Sequence, residues 1–499
     1  MIYRLSLFLR FSLSLSFLLC FGPIKAEVTL PKILASHMVV QRDLPLHLWG
    51  WASTGEVVTA SFRGQERSTT ADTLGKWSIY LPPTSAGGPF QIEIKGNNSI
   101  ALEDVLVGDV WVAGGQSNME FEMYKAATAA ADLPKAANDR IRLMIVKKEY
   151  SEYPKADLEG TGWAASTPET AKDFSAVAWY FAREIEEREH VPVGLIDSTW
   201  GGTVAESWTS LTALGADPGL APVFTARGHM TERETDAQLE EKVRARLIEE
   251  AKAQGKPMPQ FPWHPLLNTW APAQLYNAMI APLTPFPIRG AIWYQGESNS
   301  ALERYPTYER LFRTMIEDWR RQWSIGDFPF LFVQLANFKS SPAEEYFQIR
   351  EAQRRTLALR NTGMAVTIDI GNPDDVHPKD KLTVGRRLSL AARAIAYGEQ
   401  LEYSGPVFRQ VTPEASSLRV WFDHAAGLQT KGGDLTGFEV AGDDGQFLPA
   451  TAKIDGDTIV LQNASVATPK AARYGWTNSP ECHLYNGADL PASPFTSTR

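Results

Sequence analysis

The chain has 499 residues, which suggests two to four domains of about 100–200 residues each. Hydrophobic residues make up 44% and charged residues 21%, values that fit folded domains and argue against a disordered chain. The formal net charge is −9 and no basic cluster stands out, so nucleic acids and anionic membranes are poor candidates for a binding partner.

The N-terminus has the pattern of a secretory signal peptide. Two arginines flank a short apolar stretch, residues 11–22 are apolar and Ser-rich, and Ala26 offers a small residue for cleavage. The stretch is shorter than the about 20 residues that a membrane-spanning helix needs. Cys20 follows a bulky residue, which argues against a lipoprotein. We therefore predict a signal peptide at residues 1–26, a secreted or periplasmic protein, and no membrane insertion after cleavage.

The rest of the chain shows three successive patterns, the second of which contains an insertion. Short alternating runs separated by glycine turns predict a small β-sandwich over residues 27–104. Continuous apolar runs that alternate with helical periodicity predict a parallel sheet covered by helices, an α/β domain, over residues 105–400. A charged, helix-prone segment with a Pro-rich loop indicates a helical insertion at about residues 211–270. The β pattern returns over residues 401–499, which predicts a C-terminal β-domain.

Five apolar runs predict the strands of the parallel sheet: residues 105–113, 191–197, 288–293, 328–335 and 364–370. Ligands of such sheets bind beyond the carboxyl ends of the strands. The polar residues that directly follow these runs are therefore the candidate site residues.

The segment GGQSNM, residues 114–119, follows the first run. Its glycines allow a sharp turn that exposes the hydroxyl of Ser117 at a helix start, where free N–H groups favour developing negative charge. An ordinary helix-capping serine is the alternative interpretation. The motif differs from the Gly-x-Ser-x-Gly elbow of α/β-hydrolases because Met119 replaces the second glycine.

The segment DDVHP, residues 374–378, follows the fifth run. A serine is a poor nucleophile until a base takes its proton. The spacing of Asp374 and His377 lets one imidazole nitrogen contact the carboxylate while the other faces a hydroxyl. Capping by Asp374 and a structural role of His377 are the alternative. A metal site is disfavoured because the sequence has no H-E-x-x-H motif and no Cys/His cluster.

Two further segments could supply donors to an oxyanion, WGGT at residues 200–203 and WYQGESN at residues 293–299. Either segment alone could be a plain turn. All four segments follow predicted strands of the same sheet, with the serine after the first strand and Asp-x-x-His after the last. We therefore predict one active site at this edge of the sheet.

The combined motifs resemble those of the sialate O-acetylesterase family in the SGNH-hydrolase superfamily, near the acetyl-xylan esterases. The matching stretches are HMVVQRDLPLHLWGWA at 37–52, GGQSNMEF at 114–121, WGGTVAESW at 200–208, LYNAMIAPL at 275–283, GAIWYQGESN at 290–299, GNPDDVHPKDK at 371–381 and YGWTNSPECHLYNGADLPASPF at 474–495. The resemblance implies an SGNH-type five-stranded parallel α/β/α sandwich flanked by N- and C-terminal β-domains. It also implies a serine esterase that removes O-acetyl groups from carbohydrates through an acetyl-enzyme, with no metal or organic cofactor.

The resemblance assigns roles to individual residues. Ser117 is expected to be the nucleophile and His377 the general base and acid. Asp374 is expected to orient His377, and Glu297 is a rival for that role because related esterases assign a catalytic role to the Glu of this block.

The same resemblance implies an oxyanion hole. It would combine the N–H groups of Ser117 and Gly202 with a side-chain donor. Superfamily members commonly present an Asn in a Gly-x-Asn-Asp block, whereas this chain has QGESN. The choice between Gln295 and Asn299 therefore stays open.

The family name implies O-acetylated sialic acid as the substrate. Acetylated xylan or another polysaccharide is the alternative with the same chemistry. A non-catalytic carbohydrate-binding surface protein is an alternative of a different class, which the intact candidate triad argues against. An arginine would suit the carboxylate of sialic acid, and Arg289 and Arg473 lie near family motifs. The sequence does not indicate the oligomeric state.

Overall fold

The structure, a computed structural model, describes residues 27–259 and 266–498. The expected signal peptide, residues 1–26, lies outside the described residues. Within the described ranges, no helix has both the length and the apolar character that crossing a membrane requires.

The strands are β1 (Val39–Gln41), β2 (Leu46–Trp51), β3 (Val57–Phe62), β4 (Gln65–Thr70), β5 (Lys76–Leu81), β6 (Gly87–Lys95), β7 (Ser99–Gly115), β8 (Asn138–Ile145), β9 (Ala164–Ser166), β10 (Val193–Thr199), β11 (Gly290–Tyr294), β12 (Phe330–Val333), β13 (Thr362–Ala365), β14 (Val407–Glu414), β15 (Ser417–Asp423), β16 (Gln429–Thr430), β17 (Phe438–Ala441), β18 (Leu448–Pro449), β19 (Thr451–Asp455), β20 (Thr458–Gln462), β21 (Ala471–Tyr474), β22 (Leu484–Tyr485) and β23 (Phe495–Thr496). The α-helices are α1 (Ser117–Glu120), α2 (Ala129–Asp132), α3 (Pro168–Lys172), α4 (Ala176–Glu189), α5 (Leu211–Ala216), α6 (Ala221–Glu232), α7 (Glu234–Ala253), α8 (Tyr305–Trp323), α9 (Tyr346–Thr356) and α10 (Lys381–Ile395).

A single 17-residue strand, β7, joins the N-terminal β structure to the central sheet. Its first part pairs antiparallel with β6, and its second part pairs parallel with β10 and β11. The boundary expected between residues 104 and 105 therefore falls inside a continuous strand. Because the two parts share this strand, the N-terminal β structure is held directly against the sheet that carries the site.

The central sheet has the strand order β13-β12-β11-β7-β10-β8-β9. All neighbours pair in parallel except the edge strand β9, so six parallel strands stand where the sequence analysis predicted five. The missed strand, β8, contains two arginines that interrupt its apolar pattern. Arg142 is nevertheless buried, because its guanidinium pairs with Asp104 at 2.6 Å. The sequence analysis missed this strand because a buried arginine that pairs with a distant residue does not fit the apolar pattern of a buried strand.

Helices cover both faces of the central sheet. Trp111 in β7 packs edge-on against Phe181 of α4, with ring centroids 4.9 Å apart. Trp293 in the neighbouring strand packs edge-on against Trp319 of α8, at 5.7 Å. Both tryptophans are fully buried. The sheet is therefore the middle layer of an α/β/α arrangement, with its polar loops at the carboxyl ends of the strands.

The remaining parts of the chain surround this sheet. Helices α5, α6 and α7 lie between β10 and β11 in sequence, within the helical insertion expected at about residues 211–270. The C-terminal residues form two four-stranded antiparallel sheets, β14-β15-β20-β19 and β18-β17-β21-β23, and the pair β16-β22.

Candidate active site

The turn that carries Ser117, residues 114–119, begins where β7 ends. Gly115 has a φ of 129°, and a Cβ there would lie 2.2 Å from the carbonyl oxygen of Tyr294, so only glycine fits. The next residue, Gln116, donates its N–H to the same carbonyl at 3.0 Å. This close approach to the neighbouring strand places Ser117 at the start of the short helix α1.

Ser117 and His377 meet although they are 260 residues apart in the chain. The Oγ of Ser117 lies 2.8 Å from Nε2 of His377, and both residues line a cavity of about 680 Å³. That separation lets an imidazole accept the proton of a serine hydroxyl. The structure thus brings together the two residues that the sequence analysis assigned to nucleophile and base.

The expected contact between Asp374 and His377 is not formed. The carboxylate of Asp374 lies 3.3 Å from Nζ of Lys339, and its side chain is 80% exposed. Asp375 is the acidic residue beside the imidazole, because its Oδ1 lies 4.0 Å from Nδ1 of His377. The same oxygen accepts a hydrogen bond of 2.9 Å from the backbone N–H of His377. The reason is the tight turn that starts at Asn372, which directs the two consecutive carboxylates to different partners.

Glu297 lies behind the turn of Ser117 and forms no hydrogen bond with the imidazole of His377. Its Oε1 accepts a hydrogen bond from Nδ2 of Asn118 at 2.6 Å. The same Nδ2 donates to the carbonyl of Val376 at 2.9 Å, and Nζ of Lys381 donates to Oδ1 of Asn118 at 2.5 Å. Asn118 therefore links the turn of Ser117, the loop of His377 and Glu297.

Burial controls the protonation of these groups. It raises the pKa of Glu297 above its ordinary value and lowers the pKa of Lys381 to about 7. Burial also lowers the pKa of His377 below 6.5, and the nearby charge of Lys381 adds to that shift. The imidazole is consequently neutral at neutral pH, the form that accepts a proton from a serine.

Two backbone N–H groups are available beside Ser117. Glu120 of α1 accepts a hydrogen bond of 2.5 Å from the N–H of Gly201, which holds the glycine loop, residues 200–203, against α1. The same carboxylate is paired with Nζ of Lys148 at 2.5 Å. Within the described part of the chain, the N–H groups of Ser117 and Gly202 have no protein acceptor, and both residues line the cavity. The sequence analysis expected these two N–H groups to donate to an oxyanion.

The two amides that were alternatives for the side-chain donor of the oxyanion hole have other partners. Nε2 of Gln295 donates to Oδ1 of Asn299 at 2.6 Å and to the carbonyl of Thr203 at 3.2 Å. Nδ2 of Asn299 donates to Glu206 at 2.8 Å. Both amides are buried, and neither residue lines the cavity. The structure brings neither of them to Ser117, because they brace the glycine loop from behind.

Several residues around Ser117 and His377 received no role in the sequence analysis. Asn118 and Glu120 lie inside the GGQSNMEF stretch, and Lys381 closes the GNPDDVHPKDK stretch. Their position in two stretches that resemble the family was therefore the sequence signal that could have marked these three residues. Lys148 lies in no such motif, so no local pattern marked it. Among the described residues, no group of three or more His, Cys, Asp or Glu is arranged to hold a metal ion.

Comparisons with known proteins show which family the chain belongs to. The family model for carbohydrate esterases described as sialic acid-specific acetylesterases matches residues 234–394. The sialate O-acetylesterase of Rattus norvegicus is 32% identical over 93% of both chains, and that of Homo sapiens is 31% identical over 92% of this chain and 90% of its own. A crystal structure described as a novel carbohydrate acetylesterase from Xanthomonas citri has a TM-score of 0.81, at 39% identity over 94% of this chain and 99% of that one. The chain therefore belongs to the sialate O-acetylesterase family of carboxylic ester hydrolases, which hydrolyse O-acetyl esters of carbohydrates.

Proposed function

We propose that Ser117 performs this hydrolysis through an acetyl-enzyme, with His377 as base and acid. The distance of 2.8 Å between Ser117 Oγ and His377 Nε2 carries the proposal. Incubation of the wild-type protein with a serine-directed aryl phosphonate, followed by peptide mass analysis, tests it. A covalent adduct on the peptide that contains Ser117, with loss of aryl-acetate turnover, supports it, and turnover without an adduct there opposes it.

The first half-reaction transfers the acetyl group to the enzyme. His377 accepts the proton of Ser117, whose Oγ forms a bond with the acetyl carbonyl carbon. The N–H groups of Ser117 and Gly202 stabilise the resulting oxyanion. As the intermediate collapses, the imidazolium donates its proton to the departing sugar oxygen. Asp375 supplies the negative charge nearest to Nδ1 and so stabilises the imidazolium while it exists.

The second half-reaction restores the serine. His377 accepts a proton from water, and the oxygen of that water bonds to the acetyl carbon. Collapse of the second oxyanion breaks the bond to Ser117, whose Oγ takes the proton back. The net change consumes one water and releases acetate and the free sugar hydroxyl.

The pH dependence follows from the burial of His377. We expect kcat/KM for an aryl acetate to rise with pH along one ionisation with a midpoint below 6.5 and to be level near pH 7. The sign is fixed because only the neutral imidazole is a base, and a lowered pKa keeps it neutral down to lower pH. A rate profile between about pH 4.5 and 8, corrected for spontaneous hydrolysis, provides the measurement. A midpoint above 6.5 contradicts this expectation.

The charge of the cavity bears on the choice of sugar. Its described lining contains three carboxylates, on Glu120, Glu297 and Glu344, and a single ammonium, on Lys148. That ammonium is already paired with Glu120. Four aromatic side chains, of the kind that packs on sugar rings, also line the cavity: Trp200, Trp270, Phe338 and Tyr346.

The two arginines considered for a sialate carboxylate lie elsewhere. The guanidinium of Arg289 stacks on Tyr397 with 5.0 Å to the ring centroid, and Arg473 pairs with Glu439. Neither arginine lines the cavity. We therefore favour the neutral O-acetylated glycans, the alternative with the same chemistry, over an anionic sialate as the preferred substrate.

A matched substrate pair tests this preference. We expect kcat/KM for the methyl ester of an O-acetylated sialic acid to exceed that for the free acid by about fivefold, since one repulsive pair of charges about 4 Å apart in water is worth roughly 1 kcal/mol. Acetate release is measured for both, with an acetylated xylo-oligosaccharide as the neutral reference. Faster turnover of the free acid than of its methyl ester refutes the preference for neutral sugars.

A further inference from the structure

The C-terminal motif at residues 474–495 supplies no group to the reaction described above, yet one of its residues braces the cavity. Oδ1 of Asn478 accepts the N–H of Tyr346 at 2.9 Å. Its Nδ2 donates to Oγ of Ser340 at 2.7 Å and to the carbonyl of Glu344 at 2.8 Å. Its backbone carbonyl accepts the N–H of Phe338 at 3.2 Å. Asn478 therefore holds one segment of the catalytic domain at four points.

That segment, residues 336–346, forms a wall of the cavity. Phe338, Glu344 and Tyr346 all line the cavity. Residues 334–345 lie between β12 and α9 and form neither helix nor strand. A connection of this length has no internal ladder of hydrogen bonds to fix its shape, so its conformation depends on outside contacts.

A buried arginine fixes Asn478 itself. The guanidinium of Arg350 is fully buried and donates to the carbonyls of Thr477 and Asn478, at 2.8 and 2.6 Å. It also donates to the carbonyls of Leu335 and Ala336, at 2.8 and 2.9 Å. The C-terminal segment and the start of the cavity wall are thus fastened to one rigid group on α9.

We propose that Asn478 is a specificity-determining positioning residue, which holds the wall of Phe338, Glu344 and Tyr346 against the sugar part of the substrate. This inference rests on the proposed function of the Ser117–His377 site. Ser117, His377 and Gly202 act on the acetyl group, whereas the wall offers two aromatic rings and a carboxylate, the groups that pack on sugar rings and accept hydrogen bonds from hydroxyls. Loosening the wall therefore weakens sugar binding more than acetyl transfer.

The test compares two substrates in one variant. In Asn478→Ala, the ratio of kcat/KM for an acetylated xylo-oligosaccharide to that for a small aryl acetate is expected to fall by about tenfold, mostly through KM. Asn478→Asp keeps the acceptor for Tyr346 but loses both donated hydrogen bonds, so the same fall is expected. Asn463→Ala is the matched control, because the hydrogen bonds of that side chain among the described residues go to Pro449 and Ser465 of its own domain.

Each result decides the proposal. An equal fall for both substrates overturns it, because Asn478 would then only stabilise the fold or the Ser117–His377 pair. The wall also contacts the loop of His377, since the N–H of Lys339 donates to the carbonyl of Pro373. No change in the ratio also overturns the proposal. If the Asn478 variants do not fold, Ser340→Ala removes one bond from the wall side and must lower the ratio in the same direction. Failure of the proposed function is seen separately, as wild-type protein without aryl-acetate turnover.

Discussion

Ser117→Ala is expected to lower kcat for acetate release by about three orders of magnitude or more while the fold survives. The reason is the absence of a second nucleophile within reach of His377 among the described residues that line the cavity. Without the hydroxyl, only binding and the two backbone donors continue to act on the ester. Acetate release by the purified variant, with its melting temperature as evidence of folding, gives the measurement.

Ser298→Ala provides the comparison for this variant. Ser298 lines the same cavity, but its N–H donates to Gln116 and its hydroxyl has no contact with His377. We expect a far smaller effect than that of Ser117→Ala. Near-normal acetate release by Ser117→Ala, or an equal loss in Ser298→Ala, would remove Ser117 from the role of nucleophile.

Asp375→Asn is expected to lower kcat by about 10²-fold, within the range of general acid–base catalysis. The amide preserves the acceptor for the backbone N–H of His377, so the loop keeps its shape. It removes the negative charge that lies 4.0 Å from Nδ1 and stabilises the imidazolium. Because that charge raises the pKa of His377, its loss also moves the acidic limb of the rate profile to lower pH.

Two other carboxylates calibrate this result. Asp374→Asn should change kcat by less than about threefold, since its exposed pair with Lys339 is of the kind that contributes little. Glu297→Gln should fall between the two, because a glutamine can still accept the hydrogen bond from Asn118. If kcat falls more in Asp374→Asn than in Asp375→Asn, then Asp374 is the carboxylate that supports His377, and the assignment of Asp375 from the structure is wrong.

The sequence was sufficient for the order of the main elements and for the chemistry-bearing segments. Continuous apolar runs revealed five strands of the central sheet because strands buried on both faces leave that pattern. The position of GGQSNM and DDVHP after such runs was enough to predict that Ser117 and His377 meet. Both inferences depend on local residue types and on the topology of parallel sheets, which a linear chain displays.

Only the tertiary structure decided which groups face one another within those segments. Asp374 and Asp375 are adjacent and chemically identical, and the turn at Asn372 determines which one lies beside His377. Gln295 and Asn299 look like free donors in sequence, yet burial against the glycine loop occupies both. The strand β8 was hidden because its buried arginine is neutralised by Asp104, a residue 38 positions away. Such choices depend on which distant partner satisfies a buried polar group, and the periodicity of a sequence carries no record of that partner.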